Sequence, residues 1–375
     1  MKLVPSILLA VLLSASSAVC QATRNPPPKQ PAHPPFNMLV LGDSVLWGEG
    51  LKTEHKSWYH VKLWIERTTG RSVIEKIEAH SGAVVEDESA DKGLTTTDGE
   101  VNIAQPTIWN EIDRALQHYG DGSKVDLVLV TGCVNDIGLP NLLNASGDAE
   151  ITQLTEAKCG APMQRLLQKI MISFPNADVI VTGYYLSFSE KTRNDFVLRA
   201  LARRFLKTDP AAAKLTRKES FDKLIANSKA WHQASNKTLG AAVDWANAEL
   251  KSQGSHKQVM FTDVQFAPEH AFGTHETRLW GFDRSPLRMM LVLLSFGKIL
   301  LPSNDEVRGQ RSASCKEVFK RQPNESAEAK KERKNRLLLC RYAALGHPNR
   351  QGALLYSAAI TNLLKTMASG LASSH

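Results

Sequence analysis

The chain has 375 residues, of which 42% are apolar and 22% are charged, and its formal net charge is +8. This is the composition of a globular protein, long enough for one large domain or two small ones. Its basic residues are spread out, and the densest run, residues 329–336, includes Glu332 and has no aromatic platform. A solvated helix face is therefore favoured over nucleic-acid binding.

The first 22 residues have the order of a secretory signal. Lys2 precedes an apolar run at residues 3–13, and small residues follow it up to Cys20. The run is too short to span a membrane and is typical of a cleaved signal peptide. A lipoprotein signal with an acylated Cys20 is the alternative, but Ser17 stands where leucine would be expected. We therefore expect a secreted or periplasmic protein rather than one with a lipid anchor.

Residues 23–36 contain six prolines, between Pro26 and Pro35. Proline fixes φ and lacks an N–H group, so this stretch is predicted to be a stiff, extended linker. A single domain is expected to follow it, over residues 37–368.

Four cysteines remain after the signal peptide, namely Cys133, Cys159, Cys315 and Cys340. An even number of cysteines in an oxidising compartment favours two disulfide bonds. Sequence order favours Cys133–Cys159 and Cys315–Cys340 among the three possible pairings. Buried free thiols are the alternative.

Compact runs of aliphatic and β-branched residues predict five strands. They lie at residues 37–44, 72–81, 125–132, 178–185 and 258–264. Segments with apolar residues at helical spacing alternate with them, at residues 58–65, 108–119, 166–171 and 221–250. Strands that are apolar throughout indicate a parallel sheet covered on both faces. The alternation predicts a doubly wound α/β sandwich.

Two regions exceed what a minimal five-stranded fold needs. Residues 187–217 are predicted to be a basic helical insertion, and residues 265–340 separate the last strand from the final helix. The second region contains an apolar run at residues 287–301, interrupted by Arg288 and Lys298. The charges argue against a membrane span. A buried helix or a lid over the site are the two interpretations.

A serine ends the first strand. Gly42 and Asp43 precede Ser44, at the carboxyl end of a strand, where open α/β sheets bind their ligands. Gly42 permits a tight turn, and Ser44 is either an N-cap of the next helix or a functional residue.

Three further stretches are predicted to reach the same edge of the sheet. Asn135 follows the third strand and can donate to an oxyanion through its amide. Gly82 follows the second strand, where its backbone N–H is open because no Cβ obstructs it. His347 precedes Pro348, a residue that suits the start of a helix.

Together these residues resemble a known family. The blocks "GDS" with Ser44, "SG" with Gly82, "GCVND" with Gly132 and Asn135, and "GHPN" with His347 are similar to those of the SGNH hydrolase superfamily, the GDSL-type esterases and lipases. They occur in the family's order. The resemblance implies a flavodoxin-like three-layer sandwich, with a five-stranded parallel sheet in the order 2-1-3-4-5.

The resemblance also implies a serine ester hydrolase that works without a metal or other cofactor. Ser44 would be the nucleophile and His347 the general base, and the oxyanion hole would comprise the Ser44 and Gly82 N–H groups and the Asn135 amide. The expected substrates are acyl or acetyl esters, small or polymer-linked, on a carbohydrate or lipid. A lipid substrate would bring peripheral contact with a membrane or lipid. The alternatives are an acyltransferase with the same site and a binding module that has lost catalysis.

One position departs from the family. The aspartate usually found three residues before the histidine is replaced by Ala344. Either a backbone carbonyl orients the imidazole, or a carboxylate arrives from elsewhere, with Asp263, Glu269 and Asp283 as candidates. Asp43 is expected to hold its turn by hydrogen bonds rather than to act in chemistry, and the same is expected of Asp136.

Other enzyme classes lack their residues. The chain has no G-x-S-x-G elbow, no P-loop and no H-E-x-x-H motif. His270, His275 and Glu276 lie close together in sequence, but a histidine pair in a loop is usually incidental, so no metal site is expected there.

Overall fold

The computed structural model describes residues 34–86, 100–101, 106–195, 198, 215–286 and 301–372. The predicted signal peptide, with Cys20, and residues 23–33 of the predicted linker lie outside the described residues. So does nearly all of the apolar run at 287–301.

Five parallel strands form one sheet in the order β2-β1-β3-β4-β5, which confirms the predicted order. The strands are β1 (Phe36–Gly42), β2 (Val73–Ile77), β3 (Leu127–Thr131), β4 (Asp178–Thr182) and β5 (Val259–Thr262). All five predicted strands are therefore present.

Helices connect the strands and follow them. The described α-helices are α1 (Ser44–Trp47), α2 (Ser57–Thr69), α3 (Ile108–Tyr119), α4 (Val134–Ile137), α5 (Leu139–Asn144), α6 (Asp148–Thr155), α7 (Ala161–Ser173), α8 (Arg217–Ser252), α9 (Arg308–Val318), α10 (Ala327–Arg341) and α11 (Arg350–Ala372). A π-helical turn, Glu156–Gly160, joins α6 to α7. No helix among the described residues is long and apolar enough to cross a membrane.

The sheet separates two apolar cores because neighbouring side chains of a strand point to opposite faces. In β1, Leu39 and Leu41 pack in the core shared with α3, α7 and α8, whereas Met38 and Val40 pack in the core shared with α2 and α11. Strands buried on both faces have no polar face, which explains the apolar runs of the sequence.

The two disulfides pair as predicted, Cys133 with Cys159 and Cys315 with Cys340. The first joins the residue before α4 to the π-helical turn. The second joins α9 to α10, within the long insertion after β5.

The insertion before α8 differs in part from its prediction. Residues 187–195 have no helix, and most of residues 196–214 lie outside the described part. The helix that follows begins at Arg217, where the Thr216 side chain accepts from Glu219 N–H in a capping box. The helical character predicted for the rest of this insertion falls mostly on residues outside the described part of the chain.

Candidate active site

The carboxyl ends of the parallel strands place four loops at one edge of the sheet. Ser44 comes two residues after β1, Asn135 four after β3, Tyr184 two after β4 and Asp263 directly after β5. The site is built at this edge.

Ser44 is the first residue of α1, and its side chain is not the cap of that helix. The cap is Asp43, whose carboxylate accepts from Val45 N–H at 2.9 Å. Gly42 has φ +119, and a Cβ there would clash with the backbone of Thr131 on the next strand, so glycine is required. The Ser44 hydroxyl is thus left available.

The Ser44 Oγ lies 2.7 Å from His347 Nε2, although 303 residues separate the two. With Nε2 unprotonated, the hydroxyl donates to it. This is the distance expected between a serine nucleophile and its base.

His347 is held through its backbone. Its N–H donates to the Ala344 carbonyl at 3.0 Å, and its own carbonyl accepts from Trp280 N–H at 2.7 Å. The Tyr185 hydroxyl donates to the preceding carbonyl, that of Gly346, at 2.7 Å. The helix after the histidine begins at Arg350, three residues beyond it rather than one.

Burial and, to a smaller extent, the positive charge of Arg311 lower the pKa of His347 to about 4, against the opposite effect of the carbonyls of Ala344, Ala343 and Leu345. The imidazole is therefore neutral near pH 7, the state that a base requires. Its Nδ1 is buried and makes no hydrogen bond to any described residue.

Gly82 and Asn135, the other two predicted oxyanion donors, lie close together. Gly82 has φ +86, and the Asn135 amide donates to the carbonyl of its neighbour Ala83 at 2.8 Å. An amide NH₂ has two hydrogens, and this bond uses one. The Asp136 carboxylate accepts from Val85 N–H at 3.0 Å, so Asp136 joins the same two segments, as predicted.

Tyr184 connects the serine turn to the asparagine helix. Its buried hydroxyl donates to Asp43 Oδ2 at 2.6 Å and accepts from Val134 N–H at 3.1 Å. Burial raises the pKa of Tyr184 well above its ordinary value, so the hydroxyl keeps its proton. Asn236 holds the tyrosine in turn, because its side chain bonds both the N–H and the carbonyl of Tyr184.

Burial raises the pKa of Asp43 to about 6, and the bonds from Tyr184 and Val45 partly offset that shift. Asp43 thus holds the serine turn by hydrogen bonds, as the sequence predicted, and it also binds Tyr184. Glu111 supports the same turn from α3, where its carboxyl accepts from Gly42 N–H at 2.6 Å. Burial also raises the pKa of Glu111 well above its ordinary value.

A buried arginine cluster lies beside the site. Arg311 of α9 is fully buried and contacts Glu49 at 3.1 Å, Glu100 at 3.2 Å, and Asp305. Glu49 also accepts from the Ser81 hydroxyl at 2.7 Å, next to Gly82. The cluster ties the long insertion to the segment that carries Gly82.

None of the three candidate acids has a described contact with His347. Asp263 accepts from the Asn236 amide at 2.9 Å and lies 3.7 Å from His232 Nε2. Asp283 lies 3.3 Å from Arg308 Nη1. No hydrogen bond or ion pair of the Glu269 carboxylate is found in the described residues.

The possible metal ligands are also dispersed. His275 Nδ1 lies 2.8 Å from Arg193 Nη2, and His270 Nδ1 accepts from Ala267 N–H at 3.2 Å. Within the part of the chain that the structure describes, no three histidine, cysteine or acidic side chains gather as a metal site.

Sequence reasoning missed the residues that brace the site. The sequence did carry a signal for Tyr184, because this residue lies near the end of a predicted strand, at the same sheet edge as Ser44. Glu111 had another, since it lies among Ile108, Ile112 and Ala115 on an apolar helix face. Arg311 had none, because its partner Glu49 is 262 residues away.

No family model and no curated protein matches this chain. Solved structures that resemble it include a phospholipase A1 from Streptomyces albidoflavus (15% identity, TM-score 0.38, 67% of this chain and 89% of that one). An extracellular lipase from Streptomyces rimosus also matches (18%, TM-score 0.38, 66% and 88%). A third is a family 3 carbohydrate esterase from Clostridium thermocellum (15%, TM-score 0.29, 64% and 85%). The activities of these proteins do not transfer to this chain at such identities.

Proposed function

We propose that this chain is a secreted serine ester hydrolase of the SGNH type, with Ser44 as nucleophile and His347 as base. The observation that carries the proposal is the 2.7 Å contact between the Ser44 hydroxyl and His347 Nε2. A serine hydroxyl is a weak nucleophile until a base removes its proton, and the unprotonated imidazole can do so.

In the proposed reaction, Ser44 Oγ attacks the ester carbonyl carbon while its proton passes to His347 Nε2. The negative charge that forms on the carbonyl oxygen is bound by the N–H groups of Ser44 and Gly82 and the second hydrogen of the Asn135 amide. The C–O bond then breaks, and the leaving alcohol takes the proton from Nε2. Water then attacks the acyl carbon on Ser44 and passes a proton to His347 Nε2. The bond to Ser44 Oγ breaks, Oγ takes that proton back, and the acid is released.

The substrates proposed are acyl or acetyl esters of a carbohydrate or a lipid. A panel of aryl esters of graded acyl length, with wild type and Ser44→Ala, tests the activity and its chain-length preference. A fluorophosphonate probe should label wild type and not Ser44→Ala. Absence of labelling and turnover in folded wild type would refute the proposal. Product analysis with a sugar acceptor distinguishes hydrolysis from acyl transfer.

The activity should persist in mildly acidic solution. Because the pKa of His347 is lowered to about 4, the base is unprotonated above that pH, and its titration should not lower kcat/KM between pH 7 and 5.5. Asp43, whose pKa is raised to about 6, titrates in this window, so Asp43→Asn is run beside wild type to separate its effect. A histidine with an ordinary pKa of about 6.5 would retain only about a tenth of its neutral form at pH 5.5. A pH–rate profile with circular dichroism at each pH measures this, and a decline centred between pH 6 and 7 would contradict it.

Tyr184→Phe should lower kcat about tenfold, which corresponds to about 1.4 kcal/mol, with little change in KM. The variant leaves Val134 N–H and a carboxylate oxygen of Asp43 without the partner that fixes α4 against the serine turn. The control is Tyr356→Phe, which removes another buried hydroxyl, one that donates to the Gly183 carbonyl at 2.9 Å. If both variants lose stability alike and both keep full kcat, Tyr184 does not position the site.

Asp263→Asn, Glu269→Gln and Asp283→Asn should each keep near-normal kcat, because none of these carboxylates contacts His347 in the described structure. A working triad acid, by contrast, is worth about 10⁴ in kcat. Each variant is assayed separately with its melting temperature. A loss beyond about 10³ in one folded variant would identify that residue as the acid and rule out a Ser44–His347 dyad.

A further inference from the structure

A cavity of about 420 Å³ lies between α9 and α10, away from Ser44. Arg308, Ser312 and Lys316 line it from α9, at a spacing of four residues that puts them on one face of the helix. Arg341 and Tyr342, at the end of α10, line it from the other side. Ligand pockets commonly start at about 300 Å³, so this space suits a small molecule.

The lining is strongly cationic. Arg308, Lys316 and Arg341 contribute three positive charges, and none of the described lining residues is acidic. Asp283 lies outside the lining and offsets one charge, since its carboxylate is 3.3 Å from Arg308 Nη1. Two positive charges therefore remain without a counter-charge in the lining.

A buried hydroxyl also lacks a partner. Ser303 lines the cavity and is only 1% exposed, yet its Oγ has no hydrogen-bond partner among the described residues. Its backbone carbonyl, by contrast, accepts from Arg308 Nη1 at 2.7 Å. The Oγ is enclosed by protein atoms and is not part of the accessible wall of the cavity, so Ser303 contributes to the site through the carbonyl that orients Arg308.

The walls of the cavity are fixed covalently. The Cys315–Cys340 disulfide joins α9 to α10 at positions adjacent to Lys316 and Arg341. Both cysteines are buried. Because the disulfide fixes α9 against α10, Lys316 and Arg341 extend from a rigid pair of helices. A preformed arrangement of this kind reduces the entropy lost when a ligand binds.

We propose that this cavity is a binding site for a phosphate monoester group. Two unneutralised cations match the two negative charges of such a group, and guanidinium groups pair well with its oxygens. The volume exceeds that of a bare phosphate and leaves room for a small organic moiety. The site is separate from Ser44 and does not depend on the proposed esterase activity.

The test is calorimetric titration of the full chain with inorganic phosphate and with glycerol phosphate, at constant ionic strength set by chloride. Saturable one-site binding is expected in wild type. Arg341→Gln and Lys316→Gln should each weaken it at least tenfold. The matched control is Arg336→Gln, which removes an exposed arginine of α10 that stacks on Phe319 and does not line the cavity.

Equal weakening in Arg336→Gln would show attraction by the overall charge and would overturn the proposal, as would the absence of saturable binding. Vesicles of phosphatidylcholine with and without phosphatidic acid identify the source of the group. Binding only to vesicles with phosphatidic acid, competed by phosphate and lost in Arg341→Gln, indicates a lipid headgroup. Binding of glycerol phosphate without vesicle binding indicates a soluble ligand. Melting temperatures confirm that the variants are folded.

Discussion

Ser44→Ala and His347→Ala are each expected to abolish ester hydrolysis, with kcat falling about 10⁴–10⁶-fold, because nucleophile and base act as a unit. Ser44→Ala removes the attacking oxygen. His347→Ala leaves that oxygen in place but removes the acceptor 2.7 Å away from it. The two losses should be similar, and the double variant should lose little more than either single one.

The measurement is kcat for a short-chain aryl ester, with circular dichroism to confirm folding. His275→Ala is the control for loss of a histidine, since its ring lies at the surface beside Arg193. Activity of folded Ser44→Ala at a tenth of wild type would mean that another residue is the nucleophile.

Asn135→Ala is expected to cost about 3 kcal/mol of transition-state stabilisation, or 10²–10³ in kcat, because it removes one of the three proposed oxyanion donors. The oxyanion exists only after attack, so KM should change little. The substitution also removes the bond to the Ala83 carbonyl, which aligns the Gly82 segment with α4.

The control is Asn141→Ala, which removes an amide of α5 that donates to the Ile137 carbonyl at 2.7 Å. That variant should keep its kcat. If Asn135→Ala raises KM and leaves kcat intact, Asn135 binds the substrate and does not stabilise the oxyanion.

Much of the fold could be predicted because strands buried on both faces leave a clear apolar pattern. The runs that contain β1, β3, β4 and β5 have few polar residues, and each was predicted correctly. The order of the strands came from the family resemblance and could not have come from the pattern, since the runs do not specify which strands are neighbours.

The candidate site was predictable to a similar extent. Ser44 and His347 meet as expected, because strand ends and a helix start constrain their positions. Whether a carboxylate orients His347 was not predictable, because Ala344 stands at the usual position of the acid. Two of the candidates, Asp263 and Asp283, contact other residues. Asp263, for example, is held by Asn236.

The partners of the bracing residues could not be predicted, and the reason is physical. A buried charge or hydroxyl is tolerated only when a partner satisfies it, and that partner can come from any part of the chain. Tyr184 reaches Asp43 across 141 residues, and Arg311 reaches Glu49 across 262. Local patterns carry no information on pairs this distant.

The buried arginine cluster limits how this protein could be shortened. A chain cut back to the minimal sheet and its helices would lose Arg311 and keep Glu49 and Glu100 in the interior, each at most 5% exposed. Removing one partner of a buried ion pair costs about 3–5 kcal/mol, so such a truncation would be expected to fail in folding before its chemistry could be assayed. A workable miniature would have to exchange both glutamates for apolar residues of similar volume at the same time as the insertion is removed.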